Sequence, residues 1–579
     1  MAVKNLITEH IDIWTSAVKT KSASGRGSSK KLELYGVKKL RELILELAVR
    51  GKLVPQDPND EPASVLLERI AQEKAQLVKE KKLKKPKKLP NISDEEKPFD
   101  LPNGWSWIRL NEYGEWGSGS TPKRSNSGYY DGGIPWFKSG ELKADYISES
   151  EETITELALS ETSVRYNNVG DVLVAMYGAT IGKTAILSVR ATTNQAVCAC
   201  TPFTGLSNTY LLTLLKAYKA RLIGMGAGGA QPNISREKII NTVIALPSTA
   251  EQHRIVAKVD ELMALCDQLE QQTEASIEAH QVLVTTLLDT LPNSADADEL
   301  MQNWARISEH FDTLFTTEES IDQLKQTILQ LAVMGKLVPQ DPTDEPASEL
   351  LKRIAEEKAQ LVKEKKIKKQ KALPPISEDE KPFELPSGWE WCHLPDLGEL
   401  ARGKSKHRPR NDPKLYENGN IPLVQTGDVA RANGTILTYT AKYNEFGLEQ
   451  SQLWPKGTLC ITIAANIADT ATLGFDACFP DSVVGYTPYD KEIPTVYFDY
   501  FIKTAKENLE RFAPSTAQKN INLEILSNVL VPCPPIQQFP RIVEKVNLLL
   551  GICNELKERL KESQMSQLQL TDAIVEQVV

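Results

Sequence analysis

The chain contains the same segment twice. The stretch Leu47–Trp107 returns as Leu331–Trp391, and about three-quarters of roughly sixty positions match without a gap. Only two copies exist and they lie far apart, which excludes a solenoid of short consecutive repeats. The chain is therefore predicted to fold as two equivalent halves. An internal two-fold character of this kind suits a target that itself has two halves.

The length predicts several domains, because 579 residues are too many for one core. Hydrophobic residues make up 41% and charged residues 25%, which is typical of a globular protein. No apolar run reaches about eighteen residues, so no membrane span is predicted. The N-terminal "MAVKNLITEHIDIW" lacks the form of a secretory signal. We therefore expect a cytoplasmic protein.

Cysteine and histidine spacing predicts neither disulfides nor a metal site. The eight cysteines follow no framework spacing, and the six histidines form no HxxxH or HExxH pair. The net charge of −9 taken alone argues mildly against nucleic-acid binding. The basic residues are clustered, however, at Lys79–Lys88 and Lys363–Lys371. Two interpretations stay open: a solvated helix face with its linker, or contact with DNA phosphate or an acidic partner.

Composition and periodicity divide the chain into six regions. They are an N-terminal helical and linker region (1–100), a first compact domain (101–248), a long helix (249–292), a second helical and linker region (293–384), a second compact domain (385–535) and a C-terminal long helix (536–579). The predicted fold class is α+β. It consists of two globular mixed α/β domains joined by two long antiparallel coiled-coil helices, with an internal pseudo-two-fold repeat.

The repeated segment shows helix boundaries in both copies. Gly51 and Gly335 stand where a helix C-cap is expected, and Pro55 and Pro339 prevent continuation. A second helix is predicted to open at Pro62.

The two compact domains have diverged strongly, yet four landmarks keep their order. They are "GIPWFKSGEL" and "NIPLVQTGDV", "GDVLVAMYGATIGKTA" and "GTLCITIAANIADTA", "NQAV" (Asn194–Val197) and "DSVV" (Asp481–Val484), and "AQPNIS" and "AQKNIN". The runs "DVLVAMYG" and "TLCITIAA" are typical of buried strands. The shared order predicts a shared fold, and the divergence predicts two different surfaces.

Each half ends in a long helix with a seven-residue apolar pattern. The positions are Ile255, Val259, Leu262, Cys266, Leu269, Thr273, Ser276, His280, Leu283 and Leu287 in the first helix, and Ile542, Val546, Leu549, Cys553, Leu556, Leu560, Ser563, Gln567, Leu570 and Ile574 in the second. Two seams in the same phase predict two helices packed together, antiparallel because of the pseudo-two-fold relation. About forty residues span ~60 Å.

Three short motifs resemble nucleotide or methyltransferase signatures, and none is complete. "GATIGKT" (Gly178–Thr184) has three residues between its glycines where a P-loop has four, so we interpret it as a turn at a strand edge. "WGSGST" (Trp116–Thr121) is a lone GxG. "CPPI" (Cys533–Ile536) lacks the required flanking residues, and we interpret it as the turn before the last helix. No catalytic residue is predicted.

With these features the chain resembles the DNA-specificity subunits of type I restriction–modification systems. "STPKRSNSGYYDGGIPWFKSGEL", "YGATIGKTAI" and "EQHRIVAKVDELMALCDQLE" resemble the entry strands, middle strand and conserved helix of such subunits. "ELYGVKKLRELILELAVRGKLVPQDP" resembles the EcoAI-like (type IB) branch in particular. The resemblance covers essentially the whole chain.

The resemblance implies that each compact domain is a target-recognition domain that reads one half of a split sequence in double-stranded DNA. The long helices are then a spacer, long enough to exceed one DNA turn of ~34 Å. Two modification subunits are implied to methylate adenine with S-adenosylmethionine, and restriction subunits that use ATP and Mg²⁺ to cut unmodified DNA. This chain is expected to hold no cofactor, to catalyse nothing, and to be cytoplasmic in a bacterium.

Candidate DNA-binding residues come from side-chain chemistry and landmark position. In the first domain they are Thr121, Lys123, Arg124, Lys138, Ser139, Tyr177, Thr180, Lys183 and Gln231. In the second they are Arg402, Lys404, Lys406, Arg408, Arg410, Gln425, Thr426, Asn466, Gln518 and Lys519. Arginine and lysine can pair with guanine or phosphate, and asparagine and glutamine with adenine. For each residue a structural role is an equally good interpretation, and Arg402–Arg410 is the strongest cluster.

Two other classes of function are alternatives. A fused, self-sufficient methyltransferase–specificity protein needs a methyl-donor loop and an [Asn/Asp/Ser]-Pro-Pro-aromatic box, and neither is visible. A coiled-coil scaffold that binds only protein explains the long helices. It does not explain two large, diverged, strand-rich domains. The sequence therefore favours a DNA-recognition subunit.

Overall fold

The fold consists of two compact units. The computed structural model describes residues 7–21, 31–81, 89–226, 232–365, 367, 373–464, 466–511 and 521–578. The first unit comprises Met1–Ser276 with Ser563–Val579, and the second comprises Ile277–Glu562. Each unit thus contains one compact domain, one copy of the repeated segment and parts of both long helices. The mixture of helices and sheets within each unit confirms the α+β class.

A five-stranded mixed sheet forms the core of each domain. Its neighbouring strands are Gly114–Ser118, Val197–Pro202, Val172–Ala175, Thr184–Leu187 and Tyr146–Ile147 in the first domain. They are Gly398–Arg402, Val483–Pro488, Leu459–Thr462, Thr470–Leu473 and Thr435–Ile436 in the second. In both sheets only the last pair is parallel. The central strand is buried at every position, which confirms the two predicted buried strands.

Smaller sheets complete each domain. The first domain has a three-stranded sheet of Thr192–Thr193, Tyr130–Phe137 and Thr153–Ile154, and the second has a four-stranded sheet of Ala441–Tyr443, Ile421–Leu423, Ala477–Cys478 and Leu453–Trp454. The two-stranded sheets are Ser106–Arg109 with Val243–Leu246, Glu390–His393 with Leu530–Cys533, and Lys19–Lys21 with Lys31–Glu33. Phe137, from the three-stranded sheet, packs into one face of the five-stranded sheet with Leu173 and Ala199.

Helices surround the sheets and connect the domains. The α-helices of the first half are Ile11–Ser16, Tyr35–Val49, Ala63–Lys79, Glu156–Glu161, Asn208–Ala217, Lys219–Gly224, Arg236–Ile240 and the first long helix, Thr249–Thr290. Those of the second half are Ala297–Glu309, Phe311–Leu314, Glu318–Val333, Ala347–Lys363, Leu394–Leu397, Thr426–Arg431, Glu445–Glu449, Thr495–Arg511, Leu523–Ser527 and the second long helix, Gln538–Val578. In the described part of the chain, no helix combines the length and apolarity that a membrane crossing needs.

The glycines predicted to end the first helix of each repeat copy adopt the required conformation. Gly51 has φ +70° and Gly335 has φ +71°, a left-handed backbone that strains any residue with a Cβ. A Cβ at Gly51 would also lie 2.5 Å from Pro102 and 3.0 Å from Trp105. These two positions are therefore fixed both by the helix end and by packing.

The repeated segment holds the first turn of the long helix that follows it. In the first copy Gln56 and Trp105 both donate to the buried carboxylate of Glu251, at 2.7 and 2.9 Å. Arg254 forms two hydrogen bonds with Asp60, at 2.6 and 3.1 Å. Each polar group inside this joint has a partner, as burial requires. The joint fixes the helix direction at its start.

The second copy builds the same joint with one chemical difference. Trp389 donates to Gln340 and Gln538 at 3.0 and 3.1 Å, and Gln538 donates to Gln340 at 2.8 Å. Arg541 pairs with Asp344. A neutral amide, Gln538, thus replaces the carboxylate of the first copy. The strong conservation between the copies is explained by this shared anchoring task.

A shorter helix in each unit binds to both long helices. In the first unit Arg41 pairs with Glu270 at 2.6 Å, and the Tyr35 hydroxyl donates to Asp572 at 2.7 Å. In the second unit the corresponding short helix also binds both long helices. Its bonds join Lys325 to Asn554 (2.7 Å) and Gln323 to Thr285 (3.0 Å).

The seven-residue seam holds in the first turns of each long helix, and four of its later positions are wrong although Ile574 near the end of the second helix is buried. The predicted seam positions that are exposed instead are Ser276, Leu283, Ser563 and Leu570. Leu283 and Leu570 are 50% and 48% exposed, whereas Val284 and Thr571 are 1% and 0% exposed. The buried stripe advances by one residue because a straight helix has 3.6 residues per turn and drifts from a seven-residue repeat. The same shift in both helices is a further sign of the internal symmetry.

Candidate nucleic-acid interface

In the first domain the four landmark segments meet at one edge of the sheet. The loop that follows the strand Gly114–Ser118 lies against the third landmark, because the Gly119 N–H donates to the Val197 carbonyl at 2.9 Å. The end of the first landmark joins them, because the Asn194 N–H donates to the Phe137 carbonyl at 3.0 Å.

The second and fourth landmarks reach the same edge. The Met176 N–H donates to the Ala196 carbonyl at 2.8 Å, and the Ile234 N–H donates to Met176 at 2.9 Å. The Gly178 N–H donates to Pro232, also at 2.8 Å. Residues 178–180 form a short turn between two strands, which confirms the strand-edge interpretation over a P-loop.

The second domain repeats three of these backbone bonds, and a different bond, from Val424 to Cys478, holds the end of its first landmark because Pro480 replaces Asn194 and has no N–H to donate. The four bonds run from Gly403 to Val483 (2.9 Å), Val424 to Cys478 (2.8 Å), Ile463 to Ser482 (3.0 Å) and Ile521 to Ile463 (3.0 Å). Two domains with different side chains therefore present an equivalent edge. We call these the first and second recognition edges: residues 119–124, 138–139, 176–183, 194–196 and 232–234, and residues 402–410, 425–426, 463–464, 466–469, 480–482 and 521.

One landmark pairing was wrong by one residue. The sequence comparison pairs Asn194 with Asp481, but the backbone bonds place Val197 opposite the same strand position as Val483. Gln195 is thus the counterpart of Asp481. The sequence alignment matched Val197 with Val484, the second of two consecutive valines. Only the hydrogen-bond register of the sheet shows that Val483 is the correct counterpart. Both counterparts bind the loop that follows the first strand of their sheet.

The strongest cations of the first recognition edge are neutralised within the domain. Arg124 pairs with Glu152 at 2.5 Å, and Lys138 pairs with Glu152 at 3.0 Å and Glu151 at 3.1 Å. The hydrogen bonds that Arg124 and Lys138 donate to Glu152 raise the pKa of both cations, and Arg124 holds the pKa of the Glu152 carboxyl below its usual value. Exposed pairs of this kind are worth about 0–1 kcal/mol. Phosphate can therefore compete for both cations.

The other first-domain candidates occupy different environments. Thr121 donates to Gln195, Thr180 donates to the Tyr177 carbonyl at 2.6 Å, and Ser139 opens a short turn. The Tyr177 side chain is 41% exposed. Neither Lys123, which is exposed, nor Lys183, which is half-buried, has an ion-pair partner in the described part of the domain. Gln231 lies outside the described residues.

In the second recognition edge one residue fixes two arginines. The backbone carbonyl of Asp481 accepts a hydrogen bond from Nε of Arg402. The carboxylate of Asp481 accepts one from Arg410, with Nη2 and Oδ2 2.7 Å apart. The Arg410 side chain stays 51% exposed. Both guanidinium groups are thus held at the surface with donors to spare.

The remaining basic residues of this loop divide into two kinds. Arg408 donates to the carbonyls of Ser405 and His407 at 2.6 and 2.8 Å and stabilises the loop itself. Lys404 and Lys406 are exposed, and no described residue forms an ion pair with either ammonium group. The cluster Arg402–Arg410 therefore combines fixed arginines with unpaired lysines.

The last second-domain candidates lie on turns beside this loop. Gln425 precedes the helix that Thr426 begins, and its N–H donates to Asp428 at 2.9 Å. Lys138 makes the equivalent bond to Glu141 in the first domain, also at 2.9 Å. Asn466 is exposed on the hairpin after Leu459–Thr462. Gln518 and Lys519 lie outside the described residues.

Sequence reasoning missed the residues that position these candidates. Glu152 belongs to no sequence motif. Its pairing with Arg124 and Lys138 depends on how the strands Tyr130–Phe137 and Thr153–Ile154 lie side by side. Gln195 and Asp481 stand inside recognised landmarks, so their chain position was a usable signal. Of the lysine clusters, Lys79, Lys81, Lys363 and Lys365 are described and exposed, and the other lysines lie outside the described residues. Within the described ranges no group of His, Cys, Asp and Glu could hold a metal ion.

Comparison with known proteins identifies the family. The family model of the type I restriction modification DNA specificity domain matches residues 102–279 and 386–563. The EcoAI specificity subunit of Escherichia coli is 42% identical over the full length of both chains. The EcoEI specificity subunit of Escherichia coli is 41% identical over 100% of this chain and 99% of its own.

A solved HsdS subunit from Thermoanaerobacter tengcongensis is 18% identical, with a TM-score of 0.42 over 83% of this chain and 98% of that chain. The two family-model matches together cover more than half of the chain, and the EcoAI and EcoEI relatives match along their whole length. The chain therefore belongs to the specificity subunits of type I restriction–modification systems.

Proposed function

We propose that this chain binds a two-part, asymmetric sequence in duplex DNA, and that each target-recognition domain reads one half of it. The observation that carries the proposal is the recurrence of one recognition edge on two diverged domains. Shared backbone bonds with different side chains suit a common docking geometry on two different base sequences.

The chain is proposed to direct chemistry that other subunits perform. Two modification subunits methylate adenine with S-adenosylmethionine, and restriction subunits use ATP and Mg²⁺ to cut unmodified DNA. In this scheme the specificity subunit is non-catalytic and only selects the DNA sequence on which the other subunits act. The names of the EcoAI and EcoEI relatives, each a specificity subunit of a type I restriction enzyme, support this division of work.

The long helices are proposed to pack antiparallel and to set the gap between the two half-sites. They contain 42 and 41 residues, which corresponds to about 60 Å at 1.5 Å per residue. The joint of Gln56 and Trp105 with Glu251 fixes one end of the first helix. Contacts from Arg41 and Lys325 hold the two helices.

The test is to co-express this chain with the modification subunit of its own system in a methylation-free host. Mapping modified adenines across the genome is expected to give one split motif with a fixed gap. The purified chain supplied with S-adenosylmethionine alone is expected to methylate nothing. Absence of modification in the presence of a folded, bound partner contradicts the proposal, and methylation by the chain alone favours the fused-enzyme alternative.

A further inference from the structure

Asp481 organises two exposed arginines of the second recognition edge. Its carbonyl binds Arg402 and its carboxylate binds Arg410. We propose that Arg402 and Arg410 read guanine in the half-site of the second domain, and that Asp481 is their positioning residue. This inference rests on the proposed function.

The geometry of the donors favours a base over a phosphate for Arg402. Its Nε is occupied by the Asp481 carbonyl, which leaves both terminal nitrogens of the planar guanidinium available. Two parallel N–H donors match the O6 and N7 acceptors of guanine, and this is the most frequent specific contact in the major groove. Arg410 gives one terminal nitrogen to Asp481 and likewise keeps donors for a second contact.

The negative charge of Asp481 also favours a base over a phosphate as the partner of the arginines. The Asp481 carboxylate is only 2.7 Å from Arg410, and its side chain is 29% exposed. A surface carboxylate repels phosphate, whereas it costs little beside a neutral base edge. Lys404 and Lys406 lack any ion-pair partner in the described part of this loop, so they are the better phosphate contacts.

Holding the arginines also removes part of the cost of recognition. A free arginine side chain loses up to about 2 kcal/mol of rotamer freedom when it is fixed. Because Asp481 restrains both side chains before DNA arrives, less of that freedom remains to be lost on binding. The first domain has Gln195 at this position, bonded to Thr121, and no arginine among the described residues is bound to it. Arginine readout fixed by this residue is therefore specific to the second half-site.

The experiment uses the chain co-expressed with its modification subunit and maps modified adenines for several variants. Arg402→Lys and Arg410→Lys keep the charge and lose the two-pronged donor geometry. Arg402→Gln and Arg410→Gln remove the charge as well, and Asp481→Ala removes the carboxylate. Arg353→Lys is the matched control, since this arginine forms an exposed 2.5 Å pair with Glu345 on a helix outside both domains. Exchange of residues 385–535 with a relative's domain identifies the half-site that belongs to the second domain.

The wild-type motif is expected to contain guanine in that half-site. Arg402→Lys and Arg410→Lys are expected to relax discrimination at a guanine by roughly 5- to 150-fold, with the other half unchanged. Asp481→Ala is expected to relax base discrimination at the same motif position as Arg410→Lys. Arg353→Lys is expected to give the wild-type motif. A purely structural role for Asp481 would lower modification at all sites equally and leave base tolerance unchanged.

Two results overturn the inference. One is a second half-site without guanine. The other is a uniform loss of modification in the Arg402→Gln and Arg410→Gln variants, combined with wild-type behaviour of the Arg402→Lys and Arg410→Lys variants. That combination would identify both arginines as phosphate contacts. Both leave a split wild-type motif intact. Failure of the proposed function itself is distinguishable, because then the wild-type complex gives no split motif at all.

Discussion

The two recognition edges share their backbone and differ in how their cations are balanced. In the first edge Arg124 and Lys138 are both paired with Glu152. Among the described residues each edge also has two lysines without an ion-pair partner, Lys123 and Lys183 in the first edge and Lys404 and Lys406 in the second. In the second edge both lysines lie in the same loop as the arginines that Asp481 binds. The scaffold therefore fixes where a base can be read, and a few side chains decide which contacts are available.

The spacing between the edges is expected to produce the largest effect. Insertion of four residues between Thr273 and Ile277 lengthens only one long helix by about 6 Å. We expect loss of most modification activity, because each short helix binds both long helices, through Arg41 and Tyr35 in the first unit and through Gln323 and Lys325 in the second, and these contacts no longer fit two helices of unequal length. A matching insertion between Leu560 and Met565 is expected to restore activity with a gap longer by about two base pairs, at ~3.4 Å each. Motif mapping measures the gap.

An active double-insertion variant with the original gap would contradict the spacer role. If both variants are inactive although their thermal unfolding matches that of the wild type, the helices also have a second function that depends on their length. The wild-type complex is the reference for both gap and activity.

The second effect concerns the unpaired lysines. We expect the Lys404→Gln, Lys406→Gln double variant of the assembled complex to bind DNA with a weaker salt dependence. The slope of log K against log salt becomes shallower by about 2, because each phosphate contact contributes ~0.9 to that slope. Arg124→Gln with Lys138→Gln removes the same charge from the first edge. There we expect a smaller change, because Glu151 and Glu152 already pair with the two side chains. Equal slopes for the two double variants would remove the proposed difference between the edges.

A third test releases the paired cations. Glu152→Gln is expected to raise the affinity of the complex for non-specific DNA by about 2- to 5-fold, because an exposed pair is worth about 0–1 kcal/mol. Glu149→Gln is the matched control: it removes the same charge three residues away, from an exposed side chain that the structure shows in no ion pair with a described residue. Identical binding by the two variants would show that Glu152 does not restrain Arg124 and Lys138.

The smallest effect lies in the helix joints. Burial raises the pKa of Glu251, so the native state holds that proton more tightly than the unfolded chain does. The free energy of unfolding then falls as pH rises between the ordinary carboxyl pKa and the raised one. Glu251→Gln is expected to remove this pH dependence, and Gln538→Glu to introduce one into the second half. The expected change in Tm across the window is at most about 3 °C.

Thermal unfolding of the two variants and the wild type over mildly acidic to neutral pH measures this difference. A pH dependence that survives in Glu251→Gln would assign it to other carboxylates. The comparison also tests whether the two joints are equivalent, because Gln538 already performs the task of Glu251 without a charge.

Much of the fold could be predicted because it depends on local patterns. The repeat predicts two equivalent halves, and the apolar runs at Val172–Ala175 and Leu459–Thr462 predict central strands. Gly51 and Gly335 predict helix ends from backbone conformation alone. The order of the landmarks indicated which segments matter, although not that backbone bonds bring them to one edge.

What the sequence could not supply depends on geometry that no single segment contains. The buried stripe moves from Leu283 to Val284 because small rotational differences accumulate over many helical turns. The pairing of Arg124 with Glu152, and of Arg410 with Asp481, joins residues far apart in the chain. The one-residue register between Gln195 and Asp481 required the hydrogen bonds of the sheet.

The most direct test of one domain for each half-site is to replace residues 385–535 with the corresponding domain of a relative and to map the modified adenines. One half of the split motif is expected to change, while the other half stays identical to the wild-type motif. A motif in which both halves change, or neither, would contradict the assignment of one half-site to each recognition edge.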